Sequence, residues 1–198
     1  MSSQPPTQPP QRTPASPTGA ATGFVSDIAA IRERARRTMS DGAVTPSYDL
    51  DTGTVVTLLN EALATEIVCT LRYRRHYYCA EGIHSESVKA EFKEHADQEL
   101  LHADRIAERI VQLGGQPDLA PWTLAQRSHA EYVEGDGLRS MIEANLLAER
   151  IAIESYREMI HFVGDHDPTT RRMLEDVLAD EEEHADDMAS LLKRIGSA

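Results

Sequence analysis

The feature that most constrains this chain is a pattern that occurs twice. The run beginning at Glu66, E-I-V-C-T-L-R-Y, returns in outline at Glu149 as E-R-I-A-I-E-S-Y, so a Glu and a Tyr seven residues later repeat with an offset of 83. Glu99-Leu-Leu-His102-Ala-Asp returns as Glu181-Glu-Glu-His184-Ala-Asp with an offset of 82. Each half thus supplies one Glu and then a Glu-x-x-His pair, 33 residues apart in one half (66 to 99) and 32 in the other (149 to 181). A repeated unit of two helices implies an all-α fold, an antiparallel four-helix bundle built from two hairpins.

Hydrophobic periodicity supports four long helices. The first, over 54–81, carries Val55, Leu59, Leu63, Ile67, Thr70, Tyr73 and Tyr77 at three- and four-residue steps and stops at Gly82. The second starts near Ser85, runs through Val88, Phe92, Ala96, Ala103, Ile106 and Ile110, and stops at Gly114-Gly115. The third runs from Asp136 through Met141, Ile142, Ile153, Tyr156 and Ile160 to Gly164, and the fourth opens with Asp167 as N-cap and Pro168 in its first turn and ends before Gly196. The connection over 115–135 is long enough to cross the end of a bundle, with a short helix expected within 121–128.

The bundle is therefore assigned to 54–198. Residues 1–22 hold six of the ten prolines among Ser, Thr and Gln, a composition that cannot bury enough surface to offset ordering, and are expected to be a disordered tail. Residues 23–53 are read as a helix and linker. That helix, over 24–39 with Ser26 as cap, sets Ile28 and Ile31 against Arg32, Arg34, Arg36 and Arg37, an amphipathic arm for the bundle or a neighbouring molecule.

Residues three apart share a helix face, so both members of each Glu-x-x-His pair can point into the bundle. Four carboxylates (Glu66, Glu99, Glu149, Glu181) and two imidazoles (His102, His184) then converge on its axis. Four unpaired carboxylates in an apolar core would be forced to protonate or would destabilise the fold. Two divalent ions remove the conflict, since four negative charges balance two M(II), and mixed carboxylate and imidazole donors suit iron or manganese. The simplest symmetric arrangement bridges the ions with Glu99 and Glu181, leaving Glu66 and Glu149 as terminal ligands and one His per ion.

Asn145 and Asp180 are placed to accept the free ring N–H of a ligand His. Tyr73 and Tyr156 are placed to hydrogen-bond ligand carboxylates or to donate an electron during turnover, Tyr73 being counted among the catalytic residues, with plain core filling as the alternative. Two further Glu-x-x-His pairs, Glu81 with His84 and Glu158 with His161, fall near helix ends, do not map onto each other under the repeat, and are read as solvated. Glu94 and His95, about one turn before Glu99, are likewise assigned to a solvated helix face, with the lining of an iron entry path as the alternative.

The formal charge of -13 opposes affinity for nucleic acid or anionic membranes. No stretch reads as a membrane span or a secretory signal, so a cytoplasmic location is expected. Cys69 and Cys79 are the only cysteines and lie ten positions apart in one helix, about 15 Å along its axis, too far to bridge. Both are read as small buried hydrophobes, with a redox role left open for Cys69.

With Glu66, Tyr73, Glu99-x-x-His102, Glu149 and Glu181-x-x-His184 in place over about 140 residues, the chain resembles the ferritin-like di-iron carboxylate bundles, and bacterioferritin most of all. The resemblance implies a ferroxidase. Two iron ions per subunit would be oxidised by dioxygen or hydrogen peroxide and delivered to a mineral inside a homo-oligomeric cage. Two departures matter. Bacterioferritins place a haem-ligating Met after the Glu of the second-helix pair, and this chain has Leu100, so no haem is expected. Only 14 residues follow His184, which leaves no fifth helix and favours the 12-subunit cage of Dps-like proteins over a 24-mer. Two rival readings stand: a non-storage di-iron or dimanganese oxidoreductase of peroxidase or catalase type, and a structural or DNA-associated Dps-like bundle.

Overall fold

The computed structural model describes residues 26–82 and 85–196. The tail over 1–22, Phe24 and His84 lie outside them. Among the described residues there are six helices and no strand: α1 (Ile28–Arg37), α2 (Thr52–Cys79), α3 (Ser85–Gln112), α4 (Leu124–Arg127), α5 (Leu138–Val163) and α6 (Pro168–Gly196). Helix α2 packs along α3 and α5 along α6, and the hairpins meet through α2 against α5 and α3 against α6.

Each helix begins and ends for a local chemical reason. Asp51 accepts the Thr54 N–H at 2.8 Å and opens α2. Asp167 accepts the Thr170 N–H at 2.9 Å at the start of α6, while both its oxygens take Arg109 Nη2 at 2.9 Å and Oδ2 accepts from the Tyr48 hydroxyl at 3.0 Å. One carboxylate therefore caps α6 and ties it to α3 and to the linker before α2. Helix α3 ends at Gly114, whose φ of 81° few other residues adopt. Gly115 follows because a Cβ there would meet the Val56 methyls at 2.6 and 2.7 Å, so the hairpin closes only without a side chain.

Helix α1 is capped by Asp27, which accepts the Ala30 N–H at 3.0 Å, rather than by Ser26. A carboxylate one residue further on answers the helix dipole better than a hydroxyl. No residue of α1 is buried, and Ile28 and Ile31 stay about half exposed, so the apolar side of the arm is uncovered within the subunit.

The long connection between hairpins runs beside α2, and α2 satisfies its backbone. Thr65 Oγ1 accepts the His129 N–H, Arg72 Nη1 donates to Glu131 O, and His76 Nε2 meets Val133 O at 3.0 Å. Contrary to the expectation that no stretch reads as a span, α2 contains an 18-residue window of mean hydropathy 1.4. Half of that window is buried inside the bundle, so the apolarity is that of a core helix.

The core is split into two slabs. One holds Val55, Leu59, Leu63, Ile106, Ile110, Tyr156, Leu174 and Val177; the other holds Tyr73, Phe92, Ile142, Met188 and Leu191. Between them lies a layer of buried charge.

Candidate metal centre

Helix α2 contributes Glu66 to this layer, α3 Glu99 and His102, α5 Glu149, and α6 Glu181 and His184. None of the six is more than 2% exposed. The repeat brings them into two overlapping groups. One ligand atom from each of Glu66, Glu99, His102 and Glu181 lies within 4.8 Å of the others, and the same holds for Glu99, Glu149, Glu181 and His184. Glu99 and Glu181 belong to both groups, so the geometry distinguishes two shared carboxylates from two unshared ones.

His102 Nδ1 sits 3.3 Å from Glu66 Oε2, 3.1 Å from Glu181 Oε1 and 3.8 Å from Glu99 Oε2. His184 Nδ1 sits 3.5 Å from Glu181 Oε2 and 3.7 Å from Glu99 Oε1. Both rings thus turn the same nitrogen inward and hold it by the other. His102 Nε2 meets Asp180 Oδ2 at 3.0 Å, and His184 Nε2 meets Gln98 Oε1 at 2.7 Å.

Asp180 does what the sequence suggested; Asn145 does not. Its Oδ1 accepts from Arg72 Nε at 2.8 Å instead. Gln98 takes the place foreseen for it, and only its position beside Glu99 could have signalled this. The fully buried Arg72 was also missed, since one Arg among Arg72, Arg74 and Arg75 is not singled out by sequence.

The two tyrosines cross between hairpins. Tyr73 on α2 donates to Glu149 Oε1 on α5, and Tyr156 on α5 donates to Glu66 Oε1 on α2. Burial first, then the neighbouring carboxylates, pushes both phenols well above their ordinary value, so they remain donors.

Electrostatics show what the layer costs without a cation. Burial, reinforced by Glu99 and Glu181, raises the Glu66 and Glu149 carboxyls well above the carboxylate range. Burial also acts to raise Glu99, but the imidazoles of His102 and His184 facing it outweigh burial and hold that group low. Burial would lower the two imidazoles; the facing Glu181 carboxylate, joined by Glu66 for His102 and by Glu99 for His184, reverses this, lifting His102 strongly and His184 to about 11. Protons thus do the neutralising. Even so, Glu99 Oε1, Glu149 Oε2, both Glu181 oxygens and His184 Nδ1 are buried without a hydrogen-bond partner. Each such atom costs about 1–3 kcal/mol when unpartnered, and inward-facing oxygen and nitrogen donors of this kind suit a divalent cation.

Cys69 is buried and accepts from Arg72 Nη2 at 3.4 Å, and burial pushes its thiol well up, which leaves a poor nucleophile. Cys79 is exposed, not buried, because it falls on the outer face of the last turn of α2. Glu94 is exposed as expected, but His95 is only 2% exposed and stacks on His184 with ring centroids 4.1 Å apart. The helical period that turns Glu99 inward also turns His95 inward, one turn earlier.

Residues 56–198 match the ferritin-like domain family. Bacterioferritin of Rhodobacter capsulatus is 30% identical over 146 residues, covering 72% of this chain and 86% of that protein. A nutrient stress-induced DNA-binding protein of a Synechococcus species is 31% identical over 140 residues, 68% of this chain and 78% of its own. Among solved structures, a dodecameric thioferritin, the bacterioferritin-related protein of Bacteroides fragilis, superposes with a TM-score of 0.72 at 33% identity, covering 75% of this chain and 89% of that one. With the repeat, the two-hairpin bundle and these relatives together, the chain belongs to the ferritin-like domain family.

Proposed function

We propose that each subunit binds two Fe(II) ions between its hairpins, oxidises them with dioxygen or hydrogen peroxide, and passes the ferric product to a store inside a homo-oligomeric cage. One observation carries this reading: two donor sets of three carboxylates and one imidazole share Glu99 and Glu181 in a layer shut off by apolar slabs. Sharing two carboxylates holds two cations side by side, and a pair of Fe(II) ions yields two electrons, the number that reduces dioxygen to peroxide or peroxide to water.

The residues then have separate tasks. Glu99 and Glu181 bridge; Glu66 with His102 and Glu149 with His184 complete the two sites. Asp180 and Gln98 fix the imidazoles so that Nδ1 faces the ions. Tyr156 and Tyr73 hold the terminal carboxylates, leaving one oxygen of each free to turn toward a cation. Four carboxylates balance the charge of two Fe(II), and oxidation to Fe(III) leaves an excess of positive charge that favours departure of the product.

Assembly is supported by large apolar side chains left on the surface, among them Leu71, Tyr78, Leu101, Leu147 and Trp122, each more than half exposed. The dodecameric relative supports a 12-mer. Leu100, at the position of the haem ligand in bacterioferritins, offers no donor atom to iron.

The test is aerobic addition of Fe(II), which should give a rapid rise in ferric absorbance. Replacing Glu99 or His184 by Ala should abolish the fast phase, and unchanged rates in both variants would remove the site. Metal analysis on the native particle separates this reading from a dimanganese oxidoreductase, and its mass gives the subunit number.

A further inference from the structure

We propose that Glu91, His95 and Asp187 form a third site, for a single divalent cation, beside the dinuclear centre and open to solvent. Helix α3 sets Glu91 and His95 four residues apart on one face, and α6 brings Asp187, three residues beyond His184, up to them. One ligand atom from each lies within 4.8 Å of the other two.

What singles out this cluster is the buried imidazole at its floor. His95 Nδ1 lies 3.2 Å from the Tyr73 hydroxyl oxygen, and Tyr73 commits its one proton to Glu149. Tyr73 can then only accept, so the hydrogen-bond network assigns the hydrogen of a neutral His95 to Nδ1 and leaves a lone pair on Nε2. That nitrogen lies 3.5 Å from Asp187 Oδ2, well beyond the ~2.7–2.9 Å of a charge-assisted hydrogen bond. An acceptor in a ring only 2% exposed therefore faces carboxylate oxygens across a gap. Partial burial, then Asp187 and Glu94, raises the Glu91 carboxyl above its usual range, with Arg194 acting in the opposite sense, a further sign of crowded negative charge.

A divalent cation resolves the arrangement by taking the imidazole lone pair and both carboxylates at once. Two carboxylates and one imidazole suit Fe(II), Mn(II), Co(II) or Zn(II). The Asp187 side chain is 44% exposed and Glu91 is half-buried, so a cation reaches them from water, while the His95 ring lies against His184. The site is placed as a loading position, one imidazole away from the centre it would feed.

The experiment uses crystals of the full chain soaked anaerobically in Co(II), with anomalous difference maps at the cobalt edge. The expected result is a peak among Glu91, His95 and Asp187 in addition to two in the centre. The double variant E91Q/D187N, near-isosteric and outside the centre, should lose this peak and keep the other two. Two peaks in the centre and none here would overturn this inference and leave the ferroxidase reading intact; a peak here with none in the centre would do the reverse. A peak here that persists undiminished in the double variant would also overturn it.

Discussion

Loading the paired sites with a redox-inert ion should release protons, and the two inward-facing imidazoles set the least number. Their neighbouring carboxylates lift His102 strongly and His184 to about 11, so both rings hold a proton at neutral pH that each would have to lose from Nδ1 to bind metal. Two Zn(II) ions would therefore displace at least two protons per subunit, or one per ion. Sign follows directly: these groups hold protons in the free protein at neutral pH and lose them in the complex, so affinity rises with pH. With one proton released per ion, the apparent affinity should climb about 10-fold per pH unit near neutrality, or about 1.4 kcal/mol per ion. Calorimetric titration with Zn(II) in buffers of different ionisation enthalpy measures the proton count. Release of fewer than one proton per ion, or affinity flat between pH 6 and 8, would refute the claim that protons hold the charge of the empty layer.

Asp180→Asn should weaken binding at the His102 side of the centre by about 10–100-fold while leaving the fold intact, because the imidazole loses the carboxylate that orients it; competition against a chelator measures this. Zn(II) at about a thousand times its dissociation constant should stabilise the chain by about 4 kcal/mol per site, so about 8 kcal/mol for two, a melting shift of roughly 20 °C for a protein of this size. A scan with and without metal checks it, and no shift would mean that the cation binds folded and unfolded chains alike. The formal charge of -13 predicts no gel shift of duplex DNA at physiological salt, although a relative carries a DNA-binding name. Purified protein should show no haem Soret absorbance, as follows from Leu100.

The arrangement of helices was readable because the repeat and the glycines carry it. Glu66, Glu99, Glu149 and Glu181 with their two histidines are recognisable as a set from offsets of 82 and 83 alone, and helical geometry then turns them toward one another. The neighbours of that set were less legible. Asn145 and Gln98 are both plausible partners for an imidazole in sequence, and only the crossing of α3 with α6 decides that Gln98 reaches His184, and that of α2 with α5 that Arg72 takes Asn145. His95 was assigned to water because it stands beside the exposed Glu94 in a charged stretch. Its burial depends on Tyr73 and His184, contributed by two other helices, and no local pattern reports that. Cys79 was misplaced for a similar reason, since the inward face of α2 is defined only once the connection over 115–137 lies against it.

The crossed tyrosines reach beyond catalysis. Because Tyr73 reaches Glu149 and Tyr156 reaches Glu66, each half of the chain relies on the other to hold one oxygen of its terminal carboxylate. Two identical hairpins facing each other about a two-fold axis would form the same pair of clasps. The sequence repeat therefore describes a self-complementary surface folded into a single polypeptide, and a substitution at either tyrosine is felt at the opposite end of the pseudo-dyad.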